Sequence, residues 1–358
     1  MTAHTPPLIL RSDQLTVGVL PGKGADIVSL VDTATGIDVL FRSPWGRRDP
    51  ALLPSTRDSQ LDWLARYPGG WQQLVPNAGA ARVVDGVLRG YHGEAAVVGW
   101  EVESADESSA ALGVQLVTAP LTLTRRLRVR GPSLLVTDTI HNDSAEPVDV
   151  MWVQHPAFGA PFIDGHSTLT TGARGVLSDA QAPGNVLPPD AATPFPFSTG
   201  LDGNPIDLSR VPPPESGRAL FAALTDFASG WFAINSPSAG FALRMEWDAH
   251  LLPYAWLWQE CRATAGFPWF RRAYVIAVEP ANVLPGEPSR TCPDRGRAPT
   301  LAGRASWTTT LTLTRTELTP GTACAQPPPG GPQPTDGPPD AAHRARKRLP
   351  GQRREPLA

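Results

Sequence analysis

Proline sets the tightest limit on what this chain can fold into. The 358 residues include 40 Pro, about 11% against a usual roughly 5%. Ten of them follow Leu318, and the rest punctuate the preceding sequence throughout. Proline is excluded from helix interiors and from central positions of a sheet ladder, so elements here must be short and long helices are ruled out. Between the breaks lie segments rich in β-branched and aromatic residues. Thirteen read as strands: Leu15–Leu20, Asp26–Asp32, Asp38–Phe41, Ala95–Val102, Leu112–Thr118, Leu121–Val129, Ser133–His141, Val148–Gln154, Ala219–Leu224, Trp231–Asn235, Phe241–Trp247, Arg272–Val278 and Ser306–Arg315. Thr308 to Thr314 alternates hydroxyl and leucine with period two over its second half, the mark of a half-buried strand. Asp58–Arg66 is the single short helix expected. So many strands with so little helix predict an all-β chain, a large antiparallel β-sandwich whose two sheets share one core.

The hydrophobic share of 41% with 33 Gly supports a folded core. That core is expected in one domain over 1–319. Residues 320–358 hold Pro327-Pro328-Pro329 and end in a basic run from Arg344 to Arg354, a composition expected to remain disordered. A formal charge of −3 gives no reason to expect nucleic acid as a partner, and no basic start with an apolar run, nor any long apolar stretch, suggests export or a membrane. A cytoplasmic protein is therefore expected. Cys261, Cys292 and Cys324 form no metal-like spacing, and no cofactor motif is present, so neither metal nor cofactor is anticipated. Lys23 and Lys347 are the only lysines, a bias that reads as codon composition.

Without a cofactor, chemistry would fall to positioned acids and bases, and three segments hold candidates. Tyr67-Pro-Gly-Gly-Trp-Gln-Gln leads through Asn77 to Gly90-Tyr91-His92-Gly93-Glu94. Met151-Trp-Val-Gln-His155-Pro156 returns from the Asn142-Asp143-Ser144 turn, placing His155 near a strand end where Pro156 stops pairing. Trp256-Leu-Trp258-Gln259-Glu260 precedes the apolar run to Glu279-Pro280, which ends a buried strand with a carboxylate whose pKa burial would raise. Pairing of Glu279 with Arg271 or Arg272 is the plain alternative, as a turn histidine is for His92.

Taken in order, these blocks resemble the aldose 1-epimerase (mutarotase) family: Pro21-Gly-Lys-Gly-Ala-Asp26, Gly69-Gly70-Trp71 to Pro76-Asn77, His92-Gly93, Asn142 to His155-Pro156, and Glu279-Pro280. The resemblance spans about residues 8–317. It implies a β-supersandwich with a monosaccharide cleft, His155 as general acid, Glu279 as base and His92 as the second cleft histidine. Trp71 and Trp258 would form the walls, with Gln72, Asn77, Glu94, Gln259 and Glu260 available to sugar hydroxyls. A hydroxyl-binding aspartate would be Asp226 or Asp248. The function implied is α/β anomer exchange of a free aldose. A non-catalytic carbohydrate-binding or regulatory protein is the alternative, and a glycoside hydrolase using Glu260 and Glu279 ranks last because it leaves both histidines without a task.

Overall fold

The computed structural model of the protein describes residues 6–48, 55–179 and 182–318. The expected tail lies outside them. Two antiparallel sheets carry the architecture, as the strand pattern predicts. The larger has ten strands, in the spatial order Leu8–Arg11, Leu15–Leu20, Asp26–Asp32, Trp71–Leu74, Val153–Gly159, Tyr274–Ala281, Tyr254–Cys261, Ala219–Thr225, Gly175–Ser178 and Ala192–Pro194. The second has eight, running from Thr168–Thr171 through Gly230–Ser236, Phe241–Trp247, Ser306–Thr316, Ser133–Asn142, Leu121–Arg130 and Ser109–Gln115 to Glu101–Ala105.

Alternation along the strands splits the apolar residues into two layers. Val17, Val19, Ile27, Trp71, Phe158, Leu257, Ile276 and Val278 face the second sheet, meeting Leu123, Leu134, Val136 and Leu311 in the main core. Their neighbours Leu74, Val153, Ala157, Trp256, Val275 and Ala277 face the other way. That outer face is roofed by Phe41, Trp63, Leu64, Tyr67 and Trp269, drawn from loops and from the helix Ser59–Arg66. The helix starts where expected because the Asp58 side chain accepts from the Gln60 and Leu61 amides at its N-terminus.

A buried polar cluster bolts the two sheets together. Arg125 and Asp138, opposite each other in the second sheet, form a two-pronged ion pair at 2.9 and 2.8 Å. Gln154 of the large sheet donates to Asp138 at 2.7 Å and accepts from Arg125 and from the Trp71 indole. These fully buried groups satisfy one another, which is the condition under which a buried charge is tolerated.

Five expectations need correction. Asp38–Phe41 forms only isolated bridges, Asp38 with Val31 and Leu40 with Phe158. Val148–Gln154 is broken after Asp149: Val148–Asp149 pairs with Thr300–Leu301 in a separate small sheet, and a new strand begins at Val153. Residues 95–98 form a turn and the strand begins at Glu101, because Ala95 and Ala96 are buried by packing rather than by ladder pairing. The strand carrying His155 does not stop at Pro156 but continues to Gly159, and the strand carrying Glu279 continues to Ala281. Both prolines sit inside strands. The two strands pair at Val153 with Ala281 and again from Ala157 with Ala277, so the residues without an N–H occupy the interval between those pairs.

Candidate active site

One row of side chains crosses five strands on the outer face of the large sheet. Ile27 bridges Trp71 in antiparallel register, which sets Asp26 opposite Gln72. Gln72 pairs with His155, and the register of the next two strands sets His155 opposite Glu279. Glu279 pairs with Trp256. Directly opposite residues on one face of a sheet approach closely enough for their side chains to touch. Here His155 Nε2 lies 3.6 Å from Glu279 Oε1, with both side chains buried. His155 Nδ1 and Glu279 Oε2 are buried without a partner.

The roof is aromatic. Trp63 stacks on Tyr67 with ring centroids 4.6 Å apart, and the two rings stand 6.2 and 5.8 Å from that of His155. Trp258 lies 6.0 Å from His155 and leads to Trp269, which stacks on Trp45. The Tyr67 hydroxyl and the Trp63 indole N–H are buried and unpartnered. Rings beside unmet polar atoms suit a ligand with apolar faces and many hydroxyls.

His92 enters from a loop under backbone strain. It has φ 59°, a left-handed conformation costly for a residue with a side chain. Gly93 follows at φ 78°, where a Cβ would collide with the Val75 and Asn77 backbone, so only glycine fits. Asn77 holds this loop by donating to the Gly90 and Ala80 carbonyls. The Gly79 amide donates to His92 Nδ1 at 3.0 Å, which puts the proton of a neutral imidazole on Nε2. The ring centroid stands 5.9 Å from that of His155.

Burial governs the electrostatics. It pushes Glu279 well above the ordinary carboxylate range and drops His155 to about 4, with the Lys23 ammonium adding to the effect. His92 is held well below its usual value by burial, by His155 and by Lys23. Burial also raises the Asp26 carboxyl, against the pull of Lys23, Gln72 and Arg125. Burial thus favours the uncharged form of each partner, a protonated Glu279 carboxyl beside a neutral His155 imidazole.

The structure brings His155, Glu279, His92, Gln72 and Trp258 to one site and places the remaining candidates elsewhere. Trp71 lies in the main core, with its indole N–H on Gln154, because alternation turns it away from Gln72. Gln259 shares the core-facing parity of Ala255 and Leu257. Glu260 accepts from the Ala263 and Thr264 amides and the Thr264 hydroxyl, closing the turn after its strand. Glu94 accepts from the Val117 and Thr118 amides, and Asn77 positions the His92 loop rather than facing the ligand. Asp248 is an exposed turn residue accepting from the His250 amide, and Asp226 is exposed in a left-handed turn position. Arg272 reaches the Pro44 carbonyl, away from Glu279.

Four residues of the site carried no role in the sequence reading: Lys23, Asp26, Trp63 and Tyr67. Lys23, buried and ion-paired with Asp26, stands 6.0 Å from the Trp63 ring. As the one lysine of residues 1–346, it was the signal available. Among the described residues, no group of three or more His, Cys, Asp or Glu is arranged to hold a metal, and no helix is long and apolar enough to cross a membrane.

Solved structures resemble this fold at low sequence identity. The Slr1438 protein of Synechocystis superposes with a TM-score of 0.62 at 17% identity, covering 88% of this chain and 98% of its own. A protein of Escherichia coli provisionally assigned as an aldose 1-epimerase gives 0.61 at 15%, covering 87% and 99%. A galactose mutarotase-like protein of Lactobacillus casei gives 0.61 at 18%, covering 86% and 99%. The likeness establishes the galactose mutarotase-like fold. No curated protein matches the sequence. The sequence pattern of the DUF4432 family, described as a domain of unknown function, matches residues 7–193, just over half of the chain, and the chain belongs to that family.

Proposed function

We propose that the protein is an aldose 1-epimerase that exchanges the α and β anomers of a free aldose. The observation that carries this reading is the directly opposed His155–Glu279 pair, with Nε2 and Oε1 at 3.6 Å and an unpartnered polar atom on each residue. Ring opening of a cyclic hemiacetal removes the proton of the anomeric hydroxyl and adds one to the ring oxygen, breaking the bond between that oxygen and the anomeric carbon. Rotation of the freed carbonyl and reversal of both transfers gives the other anomer. A pair that holds one proton offers one donor and one acceptor, which is what each half of the reaction consumes.

In the ion-pair form Glu279 takes the anomeric proton and His155 protonates the ring oxygen. Sugar hydroxyls donating to the carboxylate favour that form over the neutral one. His92, neutral with its proton on Nε2, serves as a fixed hydrogen-bond donor to substrate oxygen rather than as an acid. Trp63 and Trp258 flank the ring. The fold shared with mutarotase-like proteins supports the same reading.

A sugar-binding protein without turnover is the second reading, favoured by the aromatic roof, which binding alone would require. Glycoside hydrolysis loses support because Glu260 is already engaged by its own turn. Anomer exchange followed by NMR across common aldoses separates the first two: exchange faster than buffer supports the enzyme, and binding without exchange supports the binder.

A further inference from the structure

The row on the large sheet does not end at the catalytic pair. One strand beyond His155 lies Gln72, and one strand beyond that Asp26, at successive spacings of about 4.8 Å. All three groups at that end are buried: Lys23, Asp26 and Gln72 are 3%, 0% and 0% exposed. The turn that delivers Lys23 is built for the purpose. Gly24 and Ala25 both take left-handed φ, and a Cβ on Gly24 would strike Asp26 and the Ala96 carbonyl.

Their hydrogen-bonding capacity is only partly used. Lys23 spends one of its three N–H groups on Asp26 Oδ2. Gln72 Nε2 spends both of its own, on Asp26 Oδ2 at 3.2 Å and the Gly69 carbonyl at 2.7 Å. Asp26 Oδ1 and Gln72 Oε1 have no partner. Two donors and two acceptors remain, in a place where unmet polar groups are costly. A hydroxyl group consumes one of each, so the set matches two hydroxyls. The ammonium and carboxylate cancel in charge, which gives an anionic substituent no net attraction.

We propose that Lys23, Asp26 and Gln72 form a subsite for two neighbouring ring hydroxyls of an uncharged aldose whose anomeric carbon lies at His155 and Glu279. The position assigned to the anomeric carbon rests on the epimerase reading. The subsite itself rests on the unused donors and acceptors. It makes Lys23 a specificity-determining residue, with Trp63 beside it as a built-in fluorescent reporter.

The test is a binding titration by tryptophan fluorescence, cross-checked by saturation-transfer NMR. D-glucose and D-galactose are compared first, then the 2-, 3-, 4- and 6-deoxy derivatives of whichever binds more tightly. For the wild type, two adjacent positions among 2, 3 and 4 should each weaken Kd by about tenfold or more, the scale of stranding a buried polar group, while the 6-deoxy sugar binds like the parent. In Lys23→Met the penalty at those positions should shrink to about threefold or less, and Lys23→Arg should retain part of it. The wild-type series needs no variant to fold. A flat deoxy series, losses at non-adjacent positions, tighter binding of the 6-phosphate or the uronate than of the parent, or binding of neither hexose overturns the subsite. Adjacent losses without anomer exchange sink the epimerase reading and leave the subsite standing. Exchange with a flat series does the reverse.

Discussion

His155 and Glu279 occupy opposite positions on neighbouring antiparallel strands, with Nε2 3.6 Å from Oε1, although 123 residues lie between them in the sequence. Pro156 and Pro280 follow them on the two strands, at the point where ladder pairing gives way. Missing backbone donors thus coincide with the place where the sheet presents the His155–Glu279 pair. The neighbouring Gln154, facing inward, is locked by Arg125 and Asp138, so the strand beneath His155 is held from behind.

This arrangement fixes the pH dependence of anomer exchange. The working form of the pair holds one proton. Below His155's value of about 4 it gains a second and loses its acceptor. Above the raised value of Glu279 it loses the last and has no donor. The acid limb should fall near 4, below the value near 6.5 of an unperturbed histidine, and the alkaline limb should lie above the ordinary carboxylate range. An acid limb centred at about 6.5 in kcat/KM, or an alkaline limb within the ordinary carboxylate range, would contradict the burial argument.

Stability should respond to acid through the same histidine. A folded-state value below the unfolded one means that the unfolded chain binds the proton first. The stability His155 contributes is therefore complete above about 6.5 and is lost as pH falls toward about 4. The span corresponds to roughly 3 kcal/mol. His92 acts in the same direction. The raised carboxyls of Glu279 and Asp26 act in the opposite direction, so the share of His155 is read by difference. As pH falls from about 6.5 to about 4, denaturant unfolding should show the wild type losing more stability, or gaining less, than His155→Asn; an identical pH dependence in the two would count against it.

The inter-sheet cluster gives a prediction independent of function. Arg125→Met leaves the Asp138 carboxylate buried without its ion pair, which should cost about 3–5 kcal/mol. The double change Arg125→Met with Asp138→Leu should recover part of that loss, because replacing both partners removes the stranded charge. Equal stability of the single and double variants in urea would show that the pair does not act as a unit.

Much of the fold was legible because half-buried strands announce themselves by alternation. Asp26–Asp32 and Phe241–Trp247 came out to the residue. Trp71–Leu74 and Tyr254–Cys261 were passed over because burial on both faces removes that contrast. At the site, the order of the motifs carried His92, His155 and Glu279. Parity explains the misplaced neighbours: Trp71 and Gln259 sit one residue from site-facing positions and so point into the core. Lys23 stayed hidden because its meaning depends on a tight left-handed turn and on Asp26 facing away from Ile27.

The His92 loop offers a local test of positioning. Gly93→Ala places a methyl against the Val75 and Asn77 backbone at a left-handed φ, and should destabilise the protein by about 1–3 kcal/mol. It should lower sugar affinity more than His92→Gln, which keeps a donor on the loop. Sugar binding unaffected by Gly93→Ala would remove His92 from the site.

The most direct test is exchange NMR on the anomeric protons of an aldose that the wild type binds, compared among wild type, Glu279→Gln and His155→Asn. The wild type should exchange anomers faster than buffer, and each variant should lose about 10²-fold or more in kcat while retaining sugar affinity. Wild-type exchange no faster than buffer, or variants that keep the wild-type rate, would contradict the assignment of the His155–Glu279 pair as the acid and base of an aldose 1-epimerase.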